Sequence, residues 1–403
     1  MATKKSAKLL QTLAHDEPDI EDDDRGIETE ADIGNIPLSV LREAVVFSTD
    51  WTTETLIGQL AKGNIDLDPA FQRRDAWNAR RKSLFIESLI LGLPVPQIVL
   101  AEKSSKGSFL IIDGKQRLLS LQKFTAGTQG QEPFALSNLI LRHDLNGSTY
   151  KDLQNRKDDL NSFENQTIRT VVIRHWQKED LLYLIFHRLN SETLPLSPQE
   201  LRQALHPGAF LKFADDHSQL SPGLRRILNI KKPDFRMRDV EILVRYFCLK
   251  NFASEYAGNL KKFLDDSCEY LNDHWSEWEE TVRRQADDFE TAVNLSYEVF
   301  DGLPFRRWNS SEDGDAYENR FNRAIFDVII YYFTESKVRN AMTSAVKVRL
   351  NKAFKKLCLE DEAFVRSIVS TTKSKTATST RFNRWGAALS RAIGIAVSVP
   401  KIG

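Results

Sequence analysis

Apolar and polar positions along the chain change spacing near residue 178. Before that point, short runs fall into both strand and helix patterns. "TTETLIGQLAKG" has a threonine start, apolar positions at helical spacing and a closing Gly63, which predicts a short capped helix. "NIDLDPAFQRRDAW" reads as a brief strand running into a loop, and "NARRKSLFIESLILGLP" as an amphipathic helix stopped by Gly92 and Pro94. "QIVLAEKSSKGSFLIID" predicts a hairpin, two apolar runs joined by a Ser/Lys/Gly turn. A helix follows from Lys115, and "TIRTVVIRHW" at 167–176 is a later strand. Elements of this size make an α/β or α+β domain.

From about 178 onward the pattern is helical. "KEDLLYLIFHRLN", "SPQELRQAL", "RDVEILVRYFCLKNF", "GNLKKFLDDSCEYLNDHW", "NRFNRAIFDVIIYYF" and "AVKVRLNKAFKKL" all repeat apolar positions at helix period. Pro207, Pro222, Pro233 and Pro304 punctuate the links, and "TTKSKTATSTRFNRW" at 371–385 reads as a basic loop. The expected class is α+β, with one domain over 36–195 and a helical domain with a basic C-terminal part over 196–403.

Composition adds three points. Residues 16–32, "DEPDIEDDDRGIETEAD", are acidic without aromatics and cannot bury enough to order themselves, so residues 1–35 are expected to form a flexible acidic arm. The 403 residues balance 56 Lys and Arg against 56 Asp and Glu, so overall charge names no partner. Yet residues 337–403 hold fourteen bases and three acids, a pointer to phosphate or nucleic acid unless helix packing absorbs it. Cys248, Cys268 and Cys358 are odd in number and widely spaced, which fits neither a disulfide framework nor a zinc cluster and suits a reducing cytoplasm. With no signal peptide evident and no long apolar run, a soluble intracellular protein without membrane association is expected.

The densest chemistry lies in "FLIIDGKQRLLSLQKF", residues 109–124, where Asp113, Gly114, Lys115, Gln116 and Arg117 fill a strand-to-helix junction without a spacer. The first turn of a helix presents unpaired N–H groups that favour an anion, typically phosphate. Gly114 permits the tight turn. If Asp113 caps the helix, Gln116 and Arg117 share its face, offering an arginine for phosphate and an amide to orient a ligand. Alternatively, Asp113 only caps while Lys115 and Arg117 face solvent. Two other stretches bear on the choice. In "LDPAFQRRDAWNARRKSLFIESLILGLPVP", Gln72 and Arg73 precede Trp77, itself expected in the core, with Glu87 a surface or capping acid. In "FHRLNSETLPLSPQELRQAL", Arg188 and Asn190 sit where a helix ends, and "SPQE" is a capping box with structural roles for Ser197 and Glu200.

Taken together, Pro69, Gln72, Arg73, Trp77, Pro94, Pro96, Asp113, Gly114, Gln116, Arg117, Phe186, Asn190, Leu196, Glu200 and Leu201 follow a known pattern in order and spacing. The stretch from about 45 to 205 resembles the ParB/sulfiredoxin-like domain in the N-terminal part of GmrSD-type modification-dependent restriction enzymes. Lys115 replaces the first glutamine of that family's Asp-Gly-Gln-Gln-Arg motif, and "NSET" stands where many members carry Asn-Thr-Gly-Gly.

The resemblance implies a nucleoside triphosphate site whose hydrolysis is coupled to DNA sensing. Asp113, Gln116 and Arg117 would then be the catalytic groups, Asp113 holding a divalent metal, magnesium, or a water. Gln72, Arg73, Gly114, Lys115, Arg188 and Asn190 would complete the cofactor pocket. No His-Asn-His nuclease motif, Walker A loop or Cys-x-x-Cys pair is present in the sequence. Two classes follow: an NTP-hydrolysing restriction or anti-phage component, with DNA nicking an additional possibility, or a non-catalytic, nucleotide-switched sensor of DNA or of a partner nuclease. "RFNRW" and "FRRW" interleave cations with aromatics as single-stranded nucleic acid would favour, although helix packing accounts for them equally.

Overall fold

A computed structural model of the chain describes residues 43–65, 67, 76–103, 107–125, 134–189, 197–311, 314–370 and 372–403. The expected acidic arm lies outside them, as do Pro69, Gln72, Arg73, Asn190 and Leu196.

The N-terminal part is built on a mixed sheet of β1 (Val45–Thr52), β2 (Ile98–Glu102), β3 (Phe109–Asp113) and β4 (Thr167–Arg174) in the order β1-β4-β2-β3. β1 runs antiparallel to β4, β4 parallel to β2, and β2 antiparallel to β3, so the expected hairpin is present. Its two strands are buried on both faces, which is why they read as unbroken apolar runs rather than alternating ones. The period-2 rule still sorts them. Ile98, Leu100, Phe109 and Ile111 enter one core, and Val99, Ala101, Leu110 and Ile112 enter the other.

The first core is roofed by α1 (Thr53–Ala61), α2 (Ala79–Ile90), α3 (Lys115–Thr125), α4 (Tyr150–Gln154) and α5 (Lys157–Asn165). α1 and α2 begin where their caps predict: Thr52 accepts from the N–H of Thr55 and Asn78 from that of Arg81. The second core is closed by α6 (Glu179–Leu189) and α7 (Pro198–Leu205) through Leu182, Tyr183, Phe186 and Leu201. α7 starts with the expected capping box, Ser197 and Glu200 bonding each other's backbone, and Pro198 at its first position.

The rest is helical: α8 (Ala209–Leu220), α9 (Pro222–Leu228), α10 (Arg238–Phe252), α11 (Leu260–Asp273), α12 (Trp275–Val299), α13 (Arg323–Phe333), α14 (Ser336–Asn340), α15 (Ser344–Glu360), α16 (Glu362–Val369) and α17 (Lys375–Ile393), with a small hairpin of β5 (Trp308–Ser311) and β6 (Gly314–Tyr317). These elements share one core, running from Phe210 to Ile402. Asp327, the acid within the apolar run of α13, is buried against the guanidinium of Arg245 through two bonds of 2.6 and 2.7 Å.

One expectation fails outright. Most of 371–385 is not a loop but the first half of α17, capped by Ser374, whose hydroxyl accepts from Ala377 N–H at 3.1 Å. Thr378, Arg381, Phe382, Trp385 and Leu389 form its buried stripe, and two of them look polar in sequence. Arg381 can sit there because it donates to Thr372 O at 2.6 Å and faces Asp327 at 3.5 Å. "RFNRW" therefore gives Arg381, Phe382 and Trp385 to the core, while Asn383 and Arg384 are exposed. In "FRRW", Phe305 is buried and Trp308 stacks edge-on against Tyr317.

Candidate functional site

The junction departs from the expected geometry in one respect. Asp113 closes β3, and the residue whose carbonyl accepts the first bond of α3, from Leu118 N–H at 3.0 Å, is Gly114. Gly114 has φ +100, and a β-carbon there would lie 3.0–3.3 Å from Ile98, so the turn needs glycine both for its conformation and for its contact with β2. Asp113 is thus not the helix cap. Its Oδ2 accepts from Arg117 Nη2 at 2.7 Å, while the same nitrogen donates to Gln97 O at 2.9 Å.

The solvent-facing alternative is also overturned. Lys115 and Arg117 are 5 % and 8 % exposed. Lys115 Nζ is bound to Glu200 Oε1, whose other oxygen accepts from Ser197 N–H at 2.7 Å. Glu200 therefore has two roles, capping α7 and balancing a lysine 85 positions earlier in the chain. A lysine at a buried turn needs a counter-charge, and that requirement was the signal in the sequence. Arg117 Nε is buried without a hydrogen-bond partner among the described residues. Gln116 Oε1 accepts from the backbone N–H of Trp77 at 3.2 Å, which ties the loop before α2 to the head of α3. Trp77 packs at the rim of the first core, edge-on to Phe85 at 5.8 Å, and Arg81 lies 5.0 Å over its ring.

These groups line one cavity of about 350 Å³. Asp113, Gly114, Lys115, Gln116, Arg117 and Glu200 supply its polar side, and Trp77, Pro94, Val95, Pro96 and Phe85 its apolar side. The two prolines after α2 and the turn before α3, far apart in sequence, are thereby brought together. Among the lining residues that were not foreseen are Arg81, four positions after Trp77 in the first turn of α2, and Phe235 from the link between α9 and α10, for which the sequence offers no signal.

Other candidates lie elsewhere. Arg188 is exposed in the last turn of α6 and does not line the cavity. Glu87 is not a surface acid. It is 4 % exposed, and its carboxylate takes the N–H groups of Ile140, Leu141 and Arg142 at 2.7–3.2 Å. Burial pushes its pKa up, but those donors outweigh burial and leave it below the ordinary value. Part of the basic C-terminal charge is paired in the fold: Lys347 pairs with Glu298, Lys355 with Asp301 and Arg339 with Asp288 at 2.5–2.8 Å, all acids on or just after α12. Arg349, Lys352 and Lys356 are exposed along α15, with Arg349 donating to Ala392 O at 3.0 Å and Lys356 facing Glu360 at 3.4 Å. Cys248, Cys268 and Cys358 are buried free thiols, and no helix among the described residues is long and apolar enough to cross a membrane.

Residues 54–207 match the family described as GmrSD restriction endonuclease, N-terminal domain. Neither a curated protein nor a solved structure matches the chain. The matched segment contains β2, β3, α2, α3, α7 and all the polar groups of the cavity. The matched segment, less than half of the chain, supports the GmrSD-type N-terminal domain family and suggests a component of a restriction or defence system.

Proposed function

We propose that the chain binds a nucleoside triphosphate in the cavity at the Asp113–Arg117 turn and hydrolyses it within a DNA-directed restriction or anti-phage system. The observation that carries this reading is the convergence of the motif residues on one cavity of about 350 Å³, within the size range of small-molecule sites. Its polar side combines the N-terminus of α3 with the buried guanidinium of Arg117, whose Nε–H is unpartnered among the described residues. Both favour phosphate oxygens. Gln116 uses its carbonyl on Trp77, so its amide N–H groups are the part that would face a ligand.

Among the described residues no three His, Cys, Asp or Glu side chains converge as a metal-holding group. A magnesium ion carried in on phosphates keeps most of its waters and needs only one or two carboxylates. Asp113, with Oδ2 already held by Arg117, retains Oδ1 for that purpose, so a phosphate-borne magnesium fits these residues and a protein-caged ion does not. Such an ion would neutralise charge developing on the transferred phosphoryl group. Asp113 would orient it or the attacking water, and Arg117 would hold phosphate oxygens.

The test is phosphate release from ATP, GTP, CTP and UTP with magnesium, with and without DNA. Release that is lost in Asp113→Ala and Arg117→Ala, with folding verified by circular dichroism, supports the hydrolase. The second reading, a nucleotide-switched sensor acting with a separate nuclease or other defence partner, is favoured by the two ion pairs already engaging Lys115 and Arg117. Tight nucleotide binding without release would select it. For DNA, the exposed face of Arg349, Lys352 and Lys356 on α15 is the proposed phosphate contact. Charge reversal at Lys352 and Lys356 tests it better than removal of 337–403, which would strip Phe354, Phe382 and Trp385 from the core.

A further inference from the structure

We propose that Phe235, which lies outside the family-matched segment, is a base-contacting wall of the nucleotide pocket. This inference rests on the nucleotide reading above and assigns the opposite end of the same ligand.

Phe235 is an aromatic side chain held in place without a core to hold it. It is half-buried, and among the described residues it packs against none of the three hydrophobic cores and makes no ring contact. The cavity is where it is directed. The backbone around it is nevertheless fixed at several points. Asp234 is 3 % exposed; its Oδ1 accepts from the N–H groups of Arg236 at 2.9 Å and Arg238 at 3.2 Å. Oδ2 takes the Arg238 guanidinium through bonds of 2.9 and 2.6 Å. On the other side Met237 adopts φ +57, a left-handed conformation that a residue with a long side chain rarely takes, and its side chain is fully buried in the helical core. A buried carboxylate, a bidentate arginine and a left-handed methionine together fix a tight turn whose exposed product is one phenyl ring.

That ring shares the cavity with Trp77, which is anchored through its own N–H to Gln116. Aromatic faces accept any base without hydrogen-bond readout, and each stacked base contributes enough to change affinity by tenfold or more. The charged turn takes the phosphates at the other side of the cavity. The matched segment thus supplies the phosphate end, and the helical part supplies one wall of the base end.

The experiment uses the full chain and two probes, the tightest-binding of the four nucleoside triphosphates and inorganic tripolyphosphate, which lacks a base. Binding is measured by isothermal titration calorimetry for wild type, Phe235→Ala, Phe235→Trp and Arg117→Ala. The expected result is at least a tenfold loss of nucleotide affinity in Phe235→Ala, unchanged tripolyphosphate affinity, and recovery in Phe235→Trp. Arg117→Ala should weaken both probes. Equal loss of both probes in Phe235→Ala would make the residue merely structural and overturn the inference, as would unchanged nucleotide affinity; either leaves the nucleotide reading standing. A wild type that binds no nucleotide overturns both.

Discussion

Breaking the Lys115–Glu200 pair should be expensive although the pair itself adds little net stability. The two side chains are 6 % and 3 % exposed. At contact, unit charges attract by about 5 kcal/mol with an effective dielectric of ~20, and desolvation removes several kcal/mol per ion. The intact pair therefore comes close to balance, whereas a partner left alone keeps its desolvation cost. Lys115→Met and Glu200→Gln are each expected to lose about 3 kcal/mol on that basis. In Lys115→Met the loss is moderated because Glu200 keeps the Ser197 N–H. The double variant should lose clearly less than the sum, with a coupling of about 2 kcal/mol. Lys115→Gln, which restores the amide of the family motif, should fall between wild type and Lys115→Met. Urea unfolding followed by far-ultraviolet circular dichroism gives these values, provided that the slopes agree among variants. Single losses below about 0.5 kcal/mol that simply add would be the behaviour of exposed ion pairs and would refute the buried-pair argument.

Asp327→Asn should destabilise the helical part by about 3 kcal/mol, because Arg245 and Arg381 would stay buried with less counter-charge; calorimetry checks this, and a shift of under 1 °C would contradict it. Burial lowers the pKa of His206, but Glu179 at 3.1 Å and the Asp265 charge outweigh it and leave the pKa raised. Its stabilisation is then fully present below the unfolded value of about 6.5 and lost as pH rises through the folded value, so the melting-temperature advantage over His206→Gln should be larger at about pH 5.5 than at about pH 8.5; an equal gap at both refutes it. Gly386→Ala, normally worth up to about 1 kcal/mol of helix stability, should instead destabilise α17 because the new methyl meets the Tyr332 hydroxyl. A raised melting temperature in that variant would show that Tyr332 gives way freely.

Local rules carried the elements that such rules govern. The caps of α1 and α7, the β2–β3 hairpin and the strand–glycine–helix junction were all legible, because side chain and backbone meet there within a few residues. Failures arose where a partner lay far away. α17 looked like a loop because Thr378 and Arg381 are polar by type and core by position, and Arg381 is tolerated there through Asp327, 54 positions earlier. β1 gave little signal because it is an edge strand with Val45, Val46 and Phe47 exposed, so its burial does not alternate. Charge counted along the chain also overstates charge on the surface where α12 supplies acids, as it does for Lys347 and Arg339.

The family-matched segment is not self-contained. It ends at residue 207, but its buried charges do not balance within it. Arg202 on α7 is fully buried, and its acidic partner at 2.6 Å is Asp265 on α11. Lys261, also on α11, reaches back to Asp180 on α6 at 2.9 Å and to Asp265 at 3.0 Å. Two residues before Arg202 on the same helix, Glu200 neutralises Lys115 in the cavity. An eight-residue helix thus holds the pocket's counter-charge on one side and the attachment to the helical part on the other. Cutting the chain after residue 207 would leave Arg202 without Asp265 and the pocket without Phe235. The cavity is a property of both parts together, even though the motif that reveals it lies in one.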